Sequence, residues 1–310
     1  MTTAEERARE FIESEQAFRL GSLTTEASHP KTRQLSHAAA GDLSAAVRML
    51  FAVDEDIIPV ARRVFESEVY QELVAAMRKA IENRRRIFFT GCGATGRLSI
   101  LLEAAWRRFW QQFRPAAPVD PGWEDLVLSV MAGGDFALIK SVEGFEDFPA
   151  FGRYQSAQAG IQAGDVVVAI TEGGETPFVI GTAWQGLDRG AEDFFVYNNP
   201  TELLGRNVKR SREVMEEGRI RKLEMATGPM AVMGSTRMQA VTIELLVVGA
   251  ALETALLRFL HGRGLAEEFP ERGGADTVQN FSELLRELGS EASVHSLAEW
   301  IDFEAGIYQQ

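Results

Sequence analysis

The hydrophobic positions of the chain fall into five short runs rich in Val, Ile, Phe and Leu. Each run leads into Gly, Pro or Asn and then into a helical pattern. Strands that alternate with helices indicate βαβ units, whose parallel strands are buried on both faces. The pattern predicts an α/β fold with a doubly wound, five-stranded parallel sheet in an α/β/α sandwich. The predicted strands are RIFFTGCG from residue 86, LVLSVMAGG from 126, VVVAITEGG from 166, DFFVYNNP from 193 and RKLEMATGP from 221.

Apolar residues at helical spacing fill the segments between the strands. Ahead of the first strand, Leu43 to Glu82 predicts two or three amphipathic helices, with Pro59 near the start of one. We expect these helices to pack on the sheet as an N-terminal cap. The other helices are predicted over Gly96 to Phe113, Phe136 to Val142, Phe148 to Ala159, Thr176 to Leu187, Pro200 to Val208 and Ser235 to Leu260.

The segment after His261, GRGLAEEFPERGGADT, carries four glycines and a proline among charges, which is typical of a linker. Two amphipathic helices are predicted after it, over Val278 to Leu288 and Val294 to Tyr308. The predicted organisation is an N-terminal segment (1–42), a core domain (43–262), and a linker with a C-terminal helical extension (263–310). The chain stops at Gln310 without an obvious cap, so we expect the native chain to continue, with a second module as one candidate for that continuation.

Charge and composition exclude several classes of protein. The chain has 32 Lys plus Arg against 45 Asp plus Glu, a formal charge of −13 that repels nucleic acid and anionic membranes. A single cysteine, Cys92, excludes an internal disulfide, and the N-terminus has no apolar signal core, so we expect a cytoplasmic protein. The apolar stretch Ile243 to Leu257 contains Glu244 and Glu253 and is shorter than the about 20 residues that span a bilayer. It predicts a buried helix.

The first predicted strand ends in GCGATGR, residues 91–97, which has the GxGxxG spelling of a dinucleotide site. That site also needs an acidic residue about 20 positions further on. Here Asp135, after the second strand, lies 39 residues past Gly96, so the spacing argues against NAD. The amino end of a helix, together with the Thr95 hydroxyl, suits a single phosphate instead. The alternative is that the glycines only permit a tight turn and bind no ligand. No histidine is near Cys92 in sequence, so we interpret it as a packing residue.

Two further strands end in loops rich in glycine and hydroxyl groups. The third leads into Thr171 to Pro177, and the fifth leads into GSTRMQAVT, where Ser235 and Thr236 are placed to cap a helix and Arg237 to pair with an anion. A single Ser or Thr at such a place is more often a cap than a ligand contact. Because the carboxyl ends of parallel strands share one edge, the three loops are predicted to converge on one ligand.

Carboxylates follow the second strand, at Glu143, Glu146 and Asp147. They can act as a general base, hydrogen-bond sugar hydroxyls, or form a solvated acidic turn, and the pattern leaves these alternatives open. Four scattered histidines and one cysteine offer no metal-ligand spacing, so neither a metal nor another cofactor is expected.

Taken together, these segments resemble the SIS (sugar isomerase) family. Within this family they are most similar to the group that contains N-acetylmuramic acid 6-phosphate etherase and the glucokinase regulatory protein. The matching segments are TEASHPKTRQLS, GCGATGRLSILLEA, AGGDFALIKSVEGFED, ITEGGETPFVIG and MGSTRMQAVTIELL, in family order over about residues 25–260. The resemblance implies that Glu146 does acid/base work or holds sugar hydroxyls. It also implies that a phosphorylated sugar is surrounded by Gly93, Ala94, Thr95, Thr171, Gly173, Glu175, Thr176, Ser235, Thr236 and Arg237.

The sequence departs from this group at two site positions and in its C-terminal part. The second catalytic glutamate of the etherase is Ala105 here, and Glu103, two residues earlier, is rotated by about 200° on a helix. The lysine expected after GSTRM is Gln239. We therefore expect a phosphosugar-binding protein of regulatory or sensor type, for a hexose phosphate or an N-acetylated hexose phosphate. The alternative is an etherase-like lyase or an isomerase. Resemblance also implies a homodimer and, for a regulator, a protein partner.

Overall fold

The computed structural model describes residues 3–14, 20–113, 122–140, 142, 144–265 and 273–308. It contains one parallel sheet in the order β2-β1-β3-β4-β5, so the chain reverses direction across the sheet between β2 and β3. All five predicted strands are confirmed. They are β1 (Ile87–Gly91), β2 (Val127–Met131), β3 (Val166–Ile170), β4 (Glu192–Tyr197) and β5 (Arg221–Glu224).

Helices cover both faces of the sheet, which confirms the doubly wound α/β/α fold. The N-terminal part holds α1 (Ala4–Ser14), α2 (Leu35–Gly41), α3 (Leu43–Asp54), α4 (Ile57–Phe65) and α5 (Glu68–Glu82). The sheet region holds α6 (Gly93–Gln112), α7 (Phe136–Ile139), α8 (Pro149–Gln158), α9 (Pro177–Arg189), α10 (Thr201–Asn207), α11 (Lys209–Glu216) and α12 (Gln239–His261). The C-terminal part holds α13 (Gly274–Leu288) and α14 (Glu291–Tyr308).

The strands alternate between two cores, as the period of a β-strand requires. On β1, Phe89 packs in the larger core with α5, α6 and α12, whereas Phe88 packs in the smaller core on the α9 face. On β3, Val168 and Ala169 divide between the cores in the same way. The central strands are therefore buried on both faces, which explains their continuous apolar runs.

The apolar helix near the end of the sheet region extends on both sides beyond the apolar stretch Ile243 to Leu257. Helix α12 has 23 residues and is apolar enough, by length and composition alone, to cross a membrane. Length therefore does not exclude a membrane span, contrary to our expectation. Burial identifies its role: Ile243, Val247, Ala251 and Phe259 all lie in the larger core, so α12 is packed as a core helix.

The segment before the helical cap lies across the carboxyl edge of the sheet. The Asn199 side chain, just after β4, accepts hydrogen bonds from the Thr24 and Thr25 backbone N–H groups at 2.8 and 3.3 Å. The Gly234 N–H donates to the Thr25 carbonyl at 3.2 Å. Part of the predicted N-terminal segment is thus tied to the loops after β4 and β5, and the proposed boundary at residue 42 stays a prediction.

The C-terminal helices pack on the helical cap. Val278 and Phe281 of α13 join the larger core, whereas α14 contacts α3. Helix α13 begins at Gly274, inside the segment we expected to be a linker. That expectation was wrong for residues 274–277, since the apolar positions of α13 bury against α4; residues 266–272 of the predicted linker lie outside the described part of the chain.

Candidate phosphosugar site

The turn between β1 and α6 depends on glycine at its first position. A Cβ on Gly91 would lie 2.6 Å from both the Gly96 nitrogen and the Thr95 carbonyl oxygen, so the helix backbone leaves no room for a side chain. Gly93, the first helical residue, has a φ of +54°, in the left-handed region that favours glycine. The glycines therefore bring the amino end of α6 directly onto the end of β1.

Thr95 closes this turn from inside the loop. Its buried hydroxyl donates to the Cys92 carbonyl at 2.9 Å and accepts from the Cys92 N–H at 3.0 Å. These bonds satisfy a backbone donor at a helix start, as a cap does. The hydroxyl is thus used within the loop, and the predicted contact between Thr95 and a phosphate stays a prediction.

A cavity of about 350 Å³ opens where the first loop, the segment after β2 and the loop after β5 meet. Gly93, Glu146 and Arg237, three of the predicted site residues, line it together. Ala94 lines an adjoining groove that also contains Arg97 and Arg237. Among the described residues, the cavity is lined by Cys92, Gly93, Arg97, Met131, Ala132, Ala137, Leu138, Ile139, Lys140, Val142, Phe145, Glu146 and Arg237.

Glu146 is held in the cavity by its backbone and by its side chain. Its carbonyl accepts from the Phe178 N–H in the first turn of α9 at 3.0 Å, which ties the segment after β2 to a helix start. Its carboxylate accepts from the Cys92 thiol at 3.2 Å. Glu146 is the one carboxylate among the described lining residues; Glu143 lies outside the described part of the chain.

Cys92 is a poor nucleophile in this environment. Burial, and after it the hydrogen bond and negative charge of Glu146, raise the pKa of the Cys92 thiol well above its usual range. The thiolate is the nucleophilic form of cysteine, and it is strongly disfavoured here. This supports our interpretation of Cys92 as a packing residue, and the structure adds its hydrogen bond to Glu146.

The loop after β3 lies beside the cavity, and its polar groups contact one another. The Thr171 and Thr176 hydroxyls are 2.9 Å apart, and Glu175 forms an ion pair with Arg210 of α11. The Gly173 carbonyl accepts from the Asn199 amide at 2.9 Å. The structure thus does not place Thr171, Gly173, Glu175 or Thr176 among the residues that line the cavity, and their contact with a ligand stays a prediction.

The loop after β5 places Arg237 in the cavity but does not cap α12 as the sequence suggested. The helix begins at Gln239, and neither Ser235 nor Thr236 is its cap residue. The Ser235 carbonyl instead accepts from the Met238 N–H at 3.2 Å, as in a turn. Gln239 is buried, where its side chain accepts from the Ala231 N–H at 2.8 Å and donates to Asp54 at 2.5 Å.

Two buried glutamates near this loop were not predicted as site residues. Glu172 is only 9% exposed, and burial raises its pKa to about 7, opposed first by its own backbone N–H and then by the neighbouring Thr236 and Arg237. Glu244 of α12 is fully buried and accepts from the Asn198 amide at 2.8 Å. Burial, with the nearby Glu172, raises the pKa of Glu244 well above its usual range. The sequence signal for Glu244 was its interruption of an apolar run.

Ala105, where the resemblance places the second glutamate of the etherase, lies outside this cavity. It lines an apolar groove between α6 and α12 with Leu101, Leu245 and Leu252. Glu103 points elsewhere, since its carboxylate accepts from the Ser129 N–H and hydroxyl at 2.7 and 2.6 Å on β2. The expectation that Glu103 faces away is therefore confirmed. Among the described residues, no three His, Cys, Asp or Glu side chains are grouped as metal ligands would be.

Comparison with known proteins places this geometry in a family. Residues 68–185 match the glucokinase regulatory protein N-terminal SIS domain. The chain is 31% identical over 212 residues to N-acetylmuramic acid 6-phosphate etherase from Clostridium acetobutylicum, covering 68% of this chain and 63% of that protein. It is 32% identical over 238 residues to the protein of the same name from Synechococcus, covering 77% and 67%. The chain thus matches about two thirds of the length of these relatives.

A solved structure of phosphoheptose isomerase from Neisseria gonorrhoeae has a TM-score of 0.45 and 16% identity, covering 67% of this chain and 95% of that one. At this TM-score the likeness adds nothing to the assignment. The identity and coverage of the Synechococcus relative, with the match over residues 68–185, confirm the predicted resemblance. The chain belongs to the SIS family, in the group that holds N-acetylmuramic acid 6-phosphate etherase and the glucokinase regulatory protein.

Proposed function

We propose that the chain binds a phosphorylated sugar, either a hexose phosphate or an N-acetylated hexose phosphate, in the cavity at the carboxyl edge of the sheet. The observation that carries this proposal is the presence of Arg97, Lys140 and Arg237 around the amino end of α6. Cations and a helix amino end both favour a phosphate group. A volume of about 350 Å³ suits one small ligand better than a dinucleotide.

The role of the bound ligand has two candidates. A regulatory or sensor role is supported by the match to the glucokinase regulatory protein domain and by Ala105 at the position of a catalytic glutamate. A lyase role is supported at least as well, because the relatives reported above are named etherases and Glu146 lies in the cavity. In the lyase role, Glu146 would be the single general acid/base group for the cleavage of a lactyl ether. In an isomerase, the same carboxylate would transfer the proton.

Calorimetry tests the binding proposal directly. We expect N-acetylmuramic acid 6-phosphate or glucose 6-phosphate to bind, and the unphosphorylated sugars to bind far more weakly. Arg237→Gln removes a charge-assisted hydrogen bond to phosphate and is expected to weaken binding by about tenfold or more. Arg219→Gln is the matched control, because Arg219 is exposed and pairs with Glu217 outside the cavity. Equal affinity of wild type and Arg237→Gln would contradict the proposed site.

Lactate release separates the two roles. A regulatory protein binds N-acetylmuramic acid 6-phosphate without releasing lactate, whereas a lyase releases it at an etherase-like rate. Ala105→Glu adds the carboxylate found at this position in the etherase. Because Ala105 lines a separate groove, activity gained by this variant would indicate that the groove and the cavity come together in the working protein.

We also infer a homodimer, with the apolar groove between α6 and α12 as its candidate interface. Leu101, Phe109 and Leu252 line this groove, and it adjoins the cavity through Arg97 and Arg237. Light scattering should then give twice the chain mass, and Leu101→Arg, at an exposed position of the groove, should give monomers. A protein partner belongs to the proposal only if the regulatory role holds.

A further inference from the structure

One buried side chain connects three segments at the carboxyl edge of the sheet. Asn199, just after β4, is fully buried. Its side-chain oxygen accepts from the Thr24 and Thr25 backbone N–H groups at 2.8 and 3.3 Å. Its amide group donates to the Thr25 hydroxyl at 3.1 Å and to the Gly173 carbonyl at 2.9 Å. These bonds use the full hydrogen-bonding capacity of an asparagine side chain and link the N-terminal segment to the loop after β3.

The bonds from Asn199 take the place of a local helix cap. Thr24–Glu26 form a short 3₁₀ helix, whose first N–H groups need acceptors from outside the helix. Leu23, the residue before it, makes no such bond, and its side chain packs in the smaller core. Asn199 lies 175 residues from Thr24 in the chain and supplies the acceptor instead. The conformation of this segment therefore depends on Asn199.

The same segment holds the loop after β5. We define residues 22–28 as the N-terminal strap. The Thr25 carbonyl accepts from the Gly234 N–H at 3.2 Å, and the Ser28 hydroxyl contacts the Met233 sulfur at 3.6 Å. Gly234 has a φ of +70°, in the left-handed region that favours glycine, so the loop changes direction where the strap contacts it.

Arg237 lies in a turn that follows this contact directly. The Ser235 carbonyl accepts from the Met238 N–H at 3.2 Å, so Arg237 is the third residue of the turn. Its side chain lines the cavity. Since the turn begins one residue after Gly234, the bond between Gly234 and the strap fixes the backbone from which Arg237 reaches the cavity.

We propose that Asn199 is a positioning residue of the phosphosugar site, which acts on the ligand through the strap and Arg237. Asn199 orders the strap, the strap orders the loop after β5, and this loop holds Arg237 at the cavity before a ligand arrives. A loop that is already ordered avoids the free-energy cost of ordering on binding. The inference rests on the proposed function, because Arg237 has this role only if a sugar phosphate binds in the cavity.

A double-mutant cycle measured by calorimetry tests whether Asn199 acts through Arg237. The ligand is glucose 6-phosphate or N-acetylmuramic acid 6-phosphate, whichever wild type binds more tightly. Asn199→Ala removes the bonds to the strap and to Gly173, and is expected to weaken binding by about fivefold in the wild-type background. In the Arg237→Gln background it should weaken binding by less than about twofold, because the residue through which it acts is absent. A merely structural role would lower stability in urea without this coupling.

Asn207→Ala is the matched control. Asn207 of α10 also donates to the strap, at the Ser22 hydroxyl at 3.1 Å, but this contact is exposed and Asn207 does not line the cavity. The control should bind as its parent does in both backgrounds. Unchanged affinity of Asn199→Ala, or equal losses in both backgrounds, would overturn the inference and leave phosphosugar binding standing. Failure of wild type to bind either sugar phosphate would remove the proposed function, and the inference with it.

Thr25→Val decides the question if Asn199→Ala does not fold. Valine has nearly the shape of threonine, but it lacks the hydroxyl that accepts from the Asn199 amide, while the carbonyl of residue 25 still accepts from Gly234. We expect a smaller loss of affinity, of about two- to threefold, and only when Arg237 is present. A loss of the same size in both backgrounds, or no loss in either, would overturn the inference.

Discussion

The two ends of the parallel sheet both contain buried acids, but the acids have different surroundings. At the amino end, Asp165 before β3 is fully buried and accepts from the Arg86 and Gln162 N–H groups, each at 3.0 Å. At the carboxyl end, Glu172 in the loop after β3 and Glu244 of α12 are buried, and burial raises the pKa of both. The Asp165 carboxylate thus has its hydrogen-bond donors within the fold. Glu172 and Glu244 instead have raised pKa values at the edge of the sheet where the cavity opens.

Asp193 shows that burial alone does not identify a site. It lies at the amino end, near the start of β4, and burial raises its pKa to about 8. Neither of its carboxylate oxygens has a hydrogen-bond partner among the described residues. Glu172 has a similar pKa but lies among loops that converge on a cavity. A perturbed acid indicates function only together with such convergence.

The largest effect is expected at the satisfied acid of the amino end. Asp165→Ala leaves the Arg86 and Gln162 N–H groups without their acceptor and breaks an ion pair with Arg86 at 3.2 Å. We expect the free energy of unfolding to fall by about 3–5 kcal/mol. Urea denaturation measures this. Asp125→Ala, which breaks an exposed pair with Arg107, is the control and should cost less than about 1 kcal/mol.

At the carboxyl end, the largest effect is expected from Gly91. Gly91→Ala forces the first turn of α6 away from β1, because a Cβ would lie 2.6 Å from backbone atoms. We expect a loss of about 2–4 kcal/mol in stability and a loss of sugar-phosphate binding, measured by denaturation and calorimetry. Gly205→Ala in α10 is the control, since its Cβ would have no neighbour within 4 Å. Normal binding by Gly91→Ala would show that the turn does not shape the site.

Asp193→Asn should stabilise the protein, with a clear dependence on pH. The folded pKa of about 8 lies above the ordinary value of 3.8, so the folded state keeps a proton that the unfolded state releases. Stability is therefore lost as pH rises from about 4 to 8. At pH 8 the variant should be more stable than wild type by about 1–3 kcal/mol, and at pH 4 nearly equal. A gain of the same size at both values would contradict this assignment.

The sequence predicted the scaffold more completely than the chemistry of the site. The strands and the Gly91 turn were visible because apolar runs and glycines act locally. Helix α11 was missed because its residues, Lys209–Glu216, are mostly polar. Glu172 was missed because its own loop sequence does not reveal its burial, and two groups that act on its charge, Thr236 and Arg237, are more than 60 residues away in the chain. Thr236 has the spelling of a helix cap, but α12 begins three residues after it, at Gln239.

The smallest effect is expected at Thr95, where the two roles of a hydroxyl can be separated. Thr95→Val removes the acceptor of the Cys92 N–H, while the Cys92 carbonyl still accepts from the Gly96 N–H. The cost should be about 1 kcal/mol of stability, with a similar loss of binding because the loop is held less firmly. Thr95→Ser should restore both.

A different result would place the Thr95 hydroxyl on the ligand. In that case calorimetry would show weaker binding of the sugar phosphate by Thr95→Val, by about 1–3 kcal/mol, while urea denaturation showed unchanged stability. Because the structure gives both hydrogen bonds of this hydroxyl to Cys92, we expect the two losses to appear together. Thr95 would then act at the carboxyl end of the sheet as Asp165 does at the amino end, by satisfying the backbone around it.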